Sequence, residues 1–366
     1  MKLVSQDWSK LRVFPLAERK SLTSVEQILR SPDTQPPALS DEAARHADAC
    51  ALKIRAAHSR GSGVILMYGA HLLRNGAAPI LDRMMQQGWL THLATNGAAT
   101  IHDWEYSWFG RSTESVRENV ATGTFGAWQE TAWNIHMALF AGSLRGEGYG
   151  AALGRYIEEG GTTLPTRDQL AAQIAAEPSH PLTAARADLL RAIVEHHVPE
   201  GPAPLLHPWK QSSILASAFR HSVPMTVHPG IGYDIIVNHP VYNGGLIGRA
   251  AALDFRLFSD SVETLDGGVT LAVGSAIMAP QVFEKSLSSV NNLRIGAGRP
   301  TVGGHSIYVV DLQDGGQWDW TQGEPPKTNA AYYLRFCKSF SRMGGEMHYA
   351  QCDNAAFVHN LYARLQ

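Results

Sequence analysis

Short apolar runs recur along the chain, each ending in a glycine-bearing turn. GVILMYG (63–69), WLTHLATNGAAT (89–100), VPMTVHPGIG (223–232), GGVTLAVGSA (267–276) and HSIYVVDL (305–312) read as strands. Between them lie amphipathic or apolar stretches long enough for helices: NGAAPILDRMMQQG, TFGAWQETAWNIHMALFAG, QSSILASAFRHS, GGLIGRAAALDFRLFSDSVETL, APQVFEKSLSSVNNL and TNAAYYLRFCKSFSRMG. Near-continuous apolar strands alternating with helices predict an α/β fold, a doubly wound and mostly parallel sheet covered by helices on both faces. Residues 144–204 break the rhythm and read as helices and loops with no strand, a helical insertion. Residues 1–40 end in SPDTQPPALS and read as an N-terminal arm, after which Ser40-Asp41-Glu42 opens a helix. Residues 41–366 are then expected to form a single α/β domain.

The chain has 366 residues, 44% apolar and 17% charged, which supports a large core. Net charge is −2 and no segment clusters Lys and Arg, so neither nucleic acid nor an anionic membrane surface has an electrostatic footprint. A small-molecule or protein partner is the default. Three scattered cysteines, no signal-peptide pattern and no apolar run of about 18 residues make a cytoplasmic location the expectation.

Ligands of open parallel sheets bind outside the carboxyl ends of the strands. The turns to inspect are therefore Tyr68-Gly69-Ala70, Thr95-Asn96-Gly97-Ala98-Ala99, His228-Pro229-Gly230-Ile231-Gly232 and Gly274-Ser275-Ala276. Small residues there let a ligand approach the backbone, and helix N-termini offer free N–H groups. No GxGxxG or GxxxxGK[ST] motif is present.

The most chemically loaded segment is NGAATIHDWEYSW (96–108), where His102, Asp103 and Glu105 follow a glycine turn. These side chains suit acid–base work or cation binding; helix N-terminal capping by Asp103 and Glu105 is the structural alternative. His102, if partly exposed, is expected to titrate near neutral pH. In TVHPGIGYDIIVNHP, His228, Asp234 and His239 fit no familiar zinc spacing, so no metal is expected, and Asp234 is placed to bind a ribose or an amine. Of eight lysines, Lys327 stands in a Pro/Gly loop after the last predicted strand, with Trp318 just upstream as a possible pocket wall.

The ordered segments GAHLLRNGAAPILDRMMQQGWLTHLATNGAATIHDWE, SSILASAFRHSVPMTVHPGIGYDII and GGVTLAVGSAIMAPQVFEKSLSSVNNL resemble the deoxyhypusine synthase family, in its bacterial synthase-like branch, over roughly residues 45–340. The resemblance implies a Rossmann-like NAD-dependent transferase acting on spermidine or a related polyamine, assembled as a homotetramer, a dimer of dimers with shared sites. It places cofactor contacts at Asn75, Gly76, Thr95, Asn96, Gly97, Ala98, Asp234, Gly274, Ser275 and Ala276. The candidate residues are then His102, Asp103 and Lys327 for catalysis, with Glu105, Asp234, His228 and Trp318 around the substrate; of these the resemblance itself matches Asp103 and Asp234. The chain departs from the family in carrying His102 where the synthases have glutamate. It also has Tyr333 near the place of their catalytic lysine, flanked by Lys327 and Lys338. Two further readings stand beside this one: another small-molecule reaction on the same fold, or binding of NAD or a metabolite without catalysis.

Overall fold

A six-stranded, wholly parallel sheet organises the computed structural model, which describes residues 6–366. The first five residues of the expected arm lie outside the described residues. In chain order the strands are β1 (Val64–Tyr68), β2 (His92–Asn96), β3 (Met225–His228), β4 (Val269–Val273), β5 (Ser306–Asp311) and β6 (Glu346–Gln351). Their spatial order is β3-β2-β1-β4-β5-β6. This is the dinucleotide-binding order, with a switch point between β1 and β4 where successive connections leave in opposite directions. The predicted α/β fold is therefore the observed one, and β6 is a strand that the hydrophobic pattern did not single out.

Alternation within β1 shows why the sheet is covered twice. Val64, Leu66 and Tyr68 enter one buried cluster, whereas Ile65 and Met67 enter the other. A strand buried on both faces needs helices on both, which the crossover helices supply. The helices that matter for the site are α1 (Asp41–Arg60), α2 (Ala70–Arg74), α3 (Ala78–Gln86) and α4 (Gly97–Phe109). They are followed by α5 (Gln129–Leu144), α6 (Tyr149–Glu159), α7 (Arg167–Ala176), α8 (Thr183–His196) and α9 (Ile214–Arg220). The last three are α10 (Gly244–Val262), α11 (Met278–Gly296) and α12 (Asn354–Leu365).

The segment 144–204 corrects the expectation of a strandless insertion. Flanking α7 and α8, residues Gly161–Leu164 and Gly201–Pro204 pair as a small antiparallel sheet. Neither strand, GTTL or GPAP, is long or apolar enough for period-2 patterning to detect. Asp254 of α10 ties this insertion to the main sheet. Its Oδ2 accepts N–H bonds from Gly150 of α6 at 2.9 Å and from Val227 of β3 at 2.7 Å.

The N-terminal segment packs across the carboxyl ends of the strands. The Leu16 N–H donates to Glu130 Oε2 at 2.7 Å, and Thr23–Ser24 pairs antiparallel with Arg111–Ser112. The Arg30 N–H donates to the Gly76 carbonyl at 3.0 Å. Residues 14–30 thus form a strap over the region where parallel sheets bind ligands.

Candidate functional site

Two features meet at the carboxyl edge of the sheet. The first is the switch point. A Cβ on Gly69, at the end of β1, would lie 2.0 Å from the carbonyl oxygen of Gly274, at the end of β4. The two turns therefore converge with no side chain between them. Gly69 donates its N–H to Val273 O at 3.1 Å, and Gly274 donates to Val310 O at 2.9 Å, so both are anchored in the sheet. Beside Gly274 stands Asn354, at the start of α12, whose buried Oδ1 has no hydrogen-bond partner. Two closely packed backbone turns with an orphaned buried amide oxygen beside them mark the switch point, the place where parallel sheets of this strand order hold a dinucleotide.

The second feature is a cavity of about 280 Å³ between α4, the strap and the loop after β3. Helical periodicity decides what faces it. Ala98, Ile101, His102 and Glu105 share one face of α4 and line the cavity, together with Arg19, Arg74, Glu114 and Asp234. Asp103 lies about 100° around the helix and turns away. Its buried carboxylate accepts the Ser213 hydroxyl and the N–H groups of Ile214 (2.8 Å) and Leu215 (3.3 Å), capping α9. Burial pushes its pKa up to about 7 against the pull of these donors. The structure assigns Asp103 to α9, not to a ligand.

Glu105 reaches the cavity wall already occupied. Arg19 of the strap donates to both its oxygens at 2.7 and 2.8 Å, Thr131 donates at 2.8 Å, and Ser112 donates to Oε2. Burial would raise its pKa, but the Arg19 charge and these donors hold it below the usual carboxylate range. An ionised, fully bonded carboxylate has no capacity left for a substrate ammonium. Arg19, the partner that takes it, lies 86 residues away in sequence and carried no local signal.

The Ser112 bond fixes the state of His102. An ionised Glu105 can only accept, so the single Ser112 proton is spent on it. The 2.7 Å contact between His102 Nδ1 and Ser112 Oγ must then be donated by the imidazole. The neutral ring carries its proton on Nδ1 and keeps a lone pair on Nε2. Burial lowers the His102 pKa to about 4, with the Arg74 and Arg19 charges adding to the effect and Glu105 opposing it. This corrects the expectation of titration near neutral pH: the ring is a standing acceptor through the physiological range.

Asp234 is the unsatisfied acid. It is 3% exposed, and its Oδ2 accepts only the Gly230 N–H at 2.8 Å. Its Oδ1 is buried with no partner. Burial raises its pKa to about 6. The carboxylate sits over Gly97, the first residue of α4, where a Cβ would come within 2.1 Å of Oδ2. That close approach explains the glycine in the Asn96-Gly97 turn. Asn96 itself caps α4 through the Ala99 N–H at 3.0 Å, and Thr95 donates to Tyr68 O at 2.8 Å.

Other expected residues are placed elsewhere. Asn75 and Gly76 lie under the strap: Arg30 Nε donates to Asn75 O at 2.9 Å, and a Cβ on Gly76 would be 1.8 Å from Ile28 O. Ser275 accepts the Ala279 N–H at 3.3 Å, and Ala276 packs on the apolar cluster around α11. His228 is buried at the end of β3, bonded to Thr226 at 3.1 Å, with its pKa lowered to about 4 by burial. Trp318 lines a separate cavity with His46 and His348 near the edge strand β6. Lys327 is exposed in the loop between β5 and β6 and lines neither cavity. Among the described residues, no group of three or more His, Cys, Asp or Glu is placed to hold a metal, and no helix is long and apolar enough to cross a membrane.

No protein-family model matches the sequence, and no curated protein matches it. Among solved structures, the chain is similar to apo ArgZ, an arginine dihydrolase from the ornithine-ammonia cycle in cyanobacteria. The identity is 12%, the TM-score 0.43, and the coverage 89% of this chain and 32% of that one. It is also similar to AgrE in ternary complex with ornithine and NAD+ (12%, TM-score 0.45, 91% and 34%). A conserved putative LOR/SDH protein from Methanococcus maripaludis S2 gives 12%, TM-score 0.43, 92% and 73%. The chain spans about a third of the length of ArgZ and AgrE. Likeness at this level carries no argument about chemistry, which rests on the two features above.

Proposed function

We propose that the protein is an NAD-dependent enzyme acting on a small amine, with the nucleotide at the Gly69–Gly274 switch point and the amine in the cavity beside α4. The observation that carries the reading is the orphaned Asp234 Oδ1. A buried carboxylate with an empty acceptor site is stabilised by a cation, because a charge left unpaired away from water costs several kcal/mol. Asp234 is the group that receives the ammonium. His102, neutral with a free Nε2, is the group that takes a proton from the amine nitrogen. Bound NAD supplies a hydride acceptor for the carbon bearing that nitrogen. Gly69, Gly274 and Asn354 hold the nucleotide.

The resemblance to deoxyhypusine synthases supports NAD and an amine, but the aminobutyl-transfer half of that chemistry needs an enzyme lysine in the site. No lysine lines the cavity among the described residues, and Lys327 stands in an exposed loop. This favours another amine reaction on the same fold over lysine-mediated transfer. The homotetramer implied by the resemblance belongs to the proposal and is checked by light scattering.

The test is to incubate the pure protein with NAD and a panel of small amines, spermidine included, while following NADH absorbance and product mass. NADH formation that is lost in Asp234→Asn and His102→Phe supports the reading. Tight NAD binding with no turnover and no amine affinity would leave a nucleotide-binding protein without catalysis.

A further inference from the structure

We infer that the ligand of the His102–Asp234 cavity is an amino acid, carrying a carboxylate as well as an amine, and not a polyamine. The inference rests on the amine reading above and deepens it. Five charged side chains line the cavity: Arg19, Arg74, Glu105, Glu114 and Asp234. Three of them are answered within the protein. Arg19 and Glu105 form a bidentate pair with both side chains 1% exposed. Glu114 accepts the Gly126 N–H at 3.2 Å and the Trp128 indole N–H at 3.0 Å on one oxygen, and the Asn119 amide on the other.

Two are not answered. Asp234 has its orphaned Oδ1, and Arg74 has a buried Nε with no hydrogen-bond partner. Among the described residues Arg74 joins no ion pair, and no carboxylate approaches it within 4.0 Å. Arg74 and His102 line the same cavity. Arg74 and Asp234 are therefore opposite charges on the walls of one small cavity that do not pair with each other.

A ligand that completes both carries an anion for Arg74 and a cation for Asp234. A guanidinium fork matches a carboxylate, with two parallel N–H bonds available. A diamine or polyamine would set a second cation against Arg74, which like-charge repulsion disfavours. The volume of about 280 Å³ suits a small metabolite.

Matched pairs that differ only by the carboxylate test this: L-ornithine against putrescine, and L-lysine against cadaverine, titrated calorimetrically into the protein with saturating NAD. Each amino acid should bind tighter than its diamine by on the order of tenfold or more, one charge-assisted pair converted to affinity. Arg74→Gln should bring the ratio close to one, Arg74→Lys should restore part of it, and NAD affinity should not move. Asp234→Asn should weaken both members of each pair. Diamines that bind as well as the amino acids would overturn the inference while leaving the amine reading intact. An Arg74→Gln variant that loses NAD in parallel would also overturn it, by giving Arg74 to a phosphate. If no member of either pair binds, the amine reading falls and the inference with it.

Discussion

The two faces of α4 contain the same kinds of residue and do opposite things. On one, Asp103 is buried and given three donors by α9; on the other, His102 looks into a cavity that holds an acid with an empty acceptor. Asp103 and Asp234 are both buried, and burial raises both pKa values, to about 7 and about 6. What separates them is satisfaction. Asp254 also has a buried Oδ1 without a partner, but it does not line the cavity, whereas Asp234 joins an orphaned oxygen to the cavity wall and so has kept capacity for something the protein does not itself supply.

Breaking the strap should give the largest effect. Arg19→Met leaves Glu105 buried beside Ser112 and Thr131 without its cation, and chemical denaturation should show a loss of about 3–5 kcal/mol. A loss under about 1 kcal/mol, the range of an exposed pair, would mean that the strap opens freely in solution.

Next comes the contrast between the two aspartates. Asp103→Ala orphans the Ser213 hydroxyl and the first N–H groups of α9 and should cost about 2–3 kcal/mol. Gly97→Ala acts on the other face. Its Cβ meets the Asp234 carboxylate, so amine binding should fall far more than NAD binding, and equal losses would argue that Asp234 serves the nucleotide.

The smallest effects are those of pH. Burial lowers the pKa of His92 to about 3, and those of His102, His136, His207, His228 and His239 to about 4. It raises those of Asp103, Asp234 and Asp254 to about 6 or 7. Between about pH 4 and 6.5 the histidines of the unfolded chain bind protons that the folded ones refuse, so their contribution to stability grows as pH rises. The three aspartates act in reverse over the same window, holding protons that the unfolded chain releases. Six histidines outweigh three carboxylates, and unfolding free energy should rise from pH 4 to 6.5. A falling curve would contradict the burial assigned to the histidines. In the same window the His102 imidazole resonance should stay fixed above pH 5.5; a midpoint near 6.5 would return the ring to solvent.

The sheet was legible because five of its strands are apolar runs punctuated by glycine, a pattern that burial on two faces enforces. β6 (EMHYAQ) escaped because an edge strand has one open side and carries Glu and His among its apolar residues. The strands of the insertion escaped because GTTL and GPAP are four residues each and carry little apolar signal. At the site, the sequence singled out the turn after β2, His102 and Asp234, and the fold brings the two side chains to one cavity. The sequence could not tell Asp103 from Glu105, since both lie in HDWE and only the 100° step between adjacent helical residues separates their faces. Arg19 was missed because its partner Glu105 lies 86 residues away, Ser112 because it meets Glu105 and His102 only where the chain doubles back after α4, and Arg74 because only the fold brings it to the cavity. The exposed Lys327 shows the converse, a residue type that the chemistry wanted in a place where the fold did not need it.

The central claim is that the cavity face of α4 binds an amine through Asp234 while the opposite face is structural. Its most direct test measures amine affinity, with NAD saturating, and unfolding free energy side by side in Asp103→Asn and Asp234→Asn. The account predicts that Asp234→Asn loses the amine and keeps its stability, while Asp103→Asn loses stability and its folded fraction still binds the amine. The opposite assignment of the two losses would contradict it.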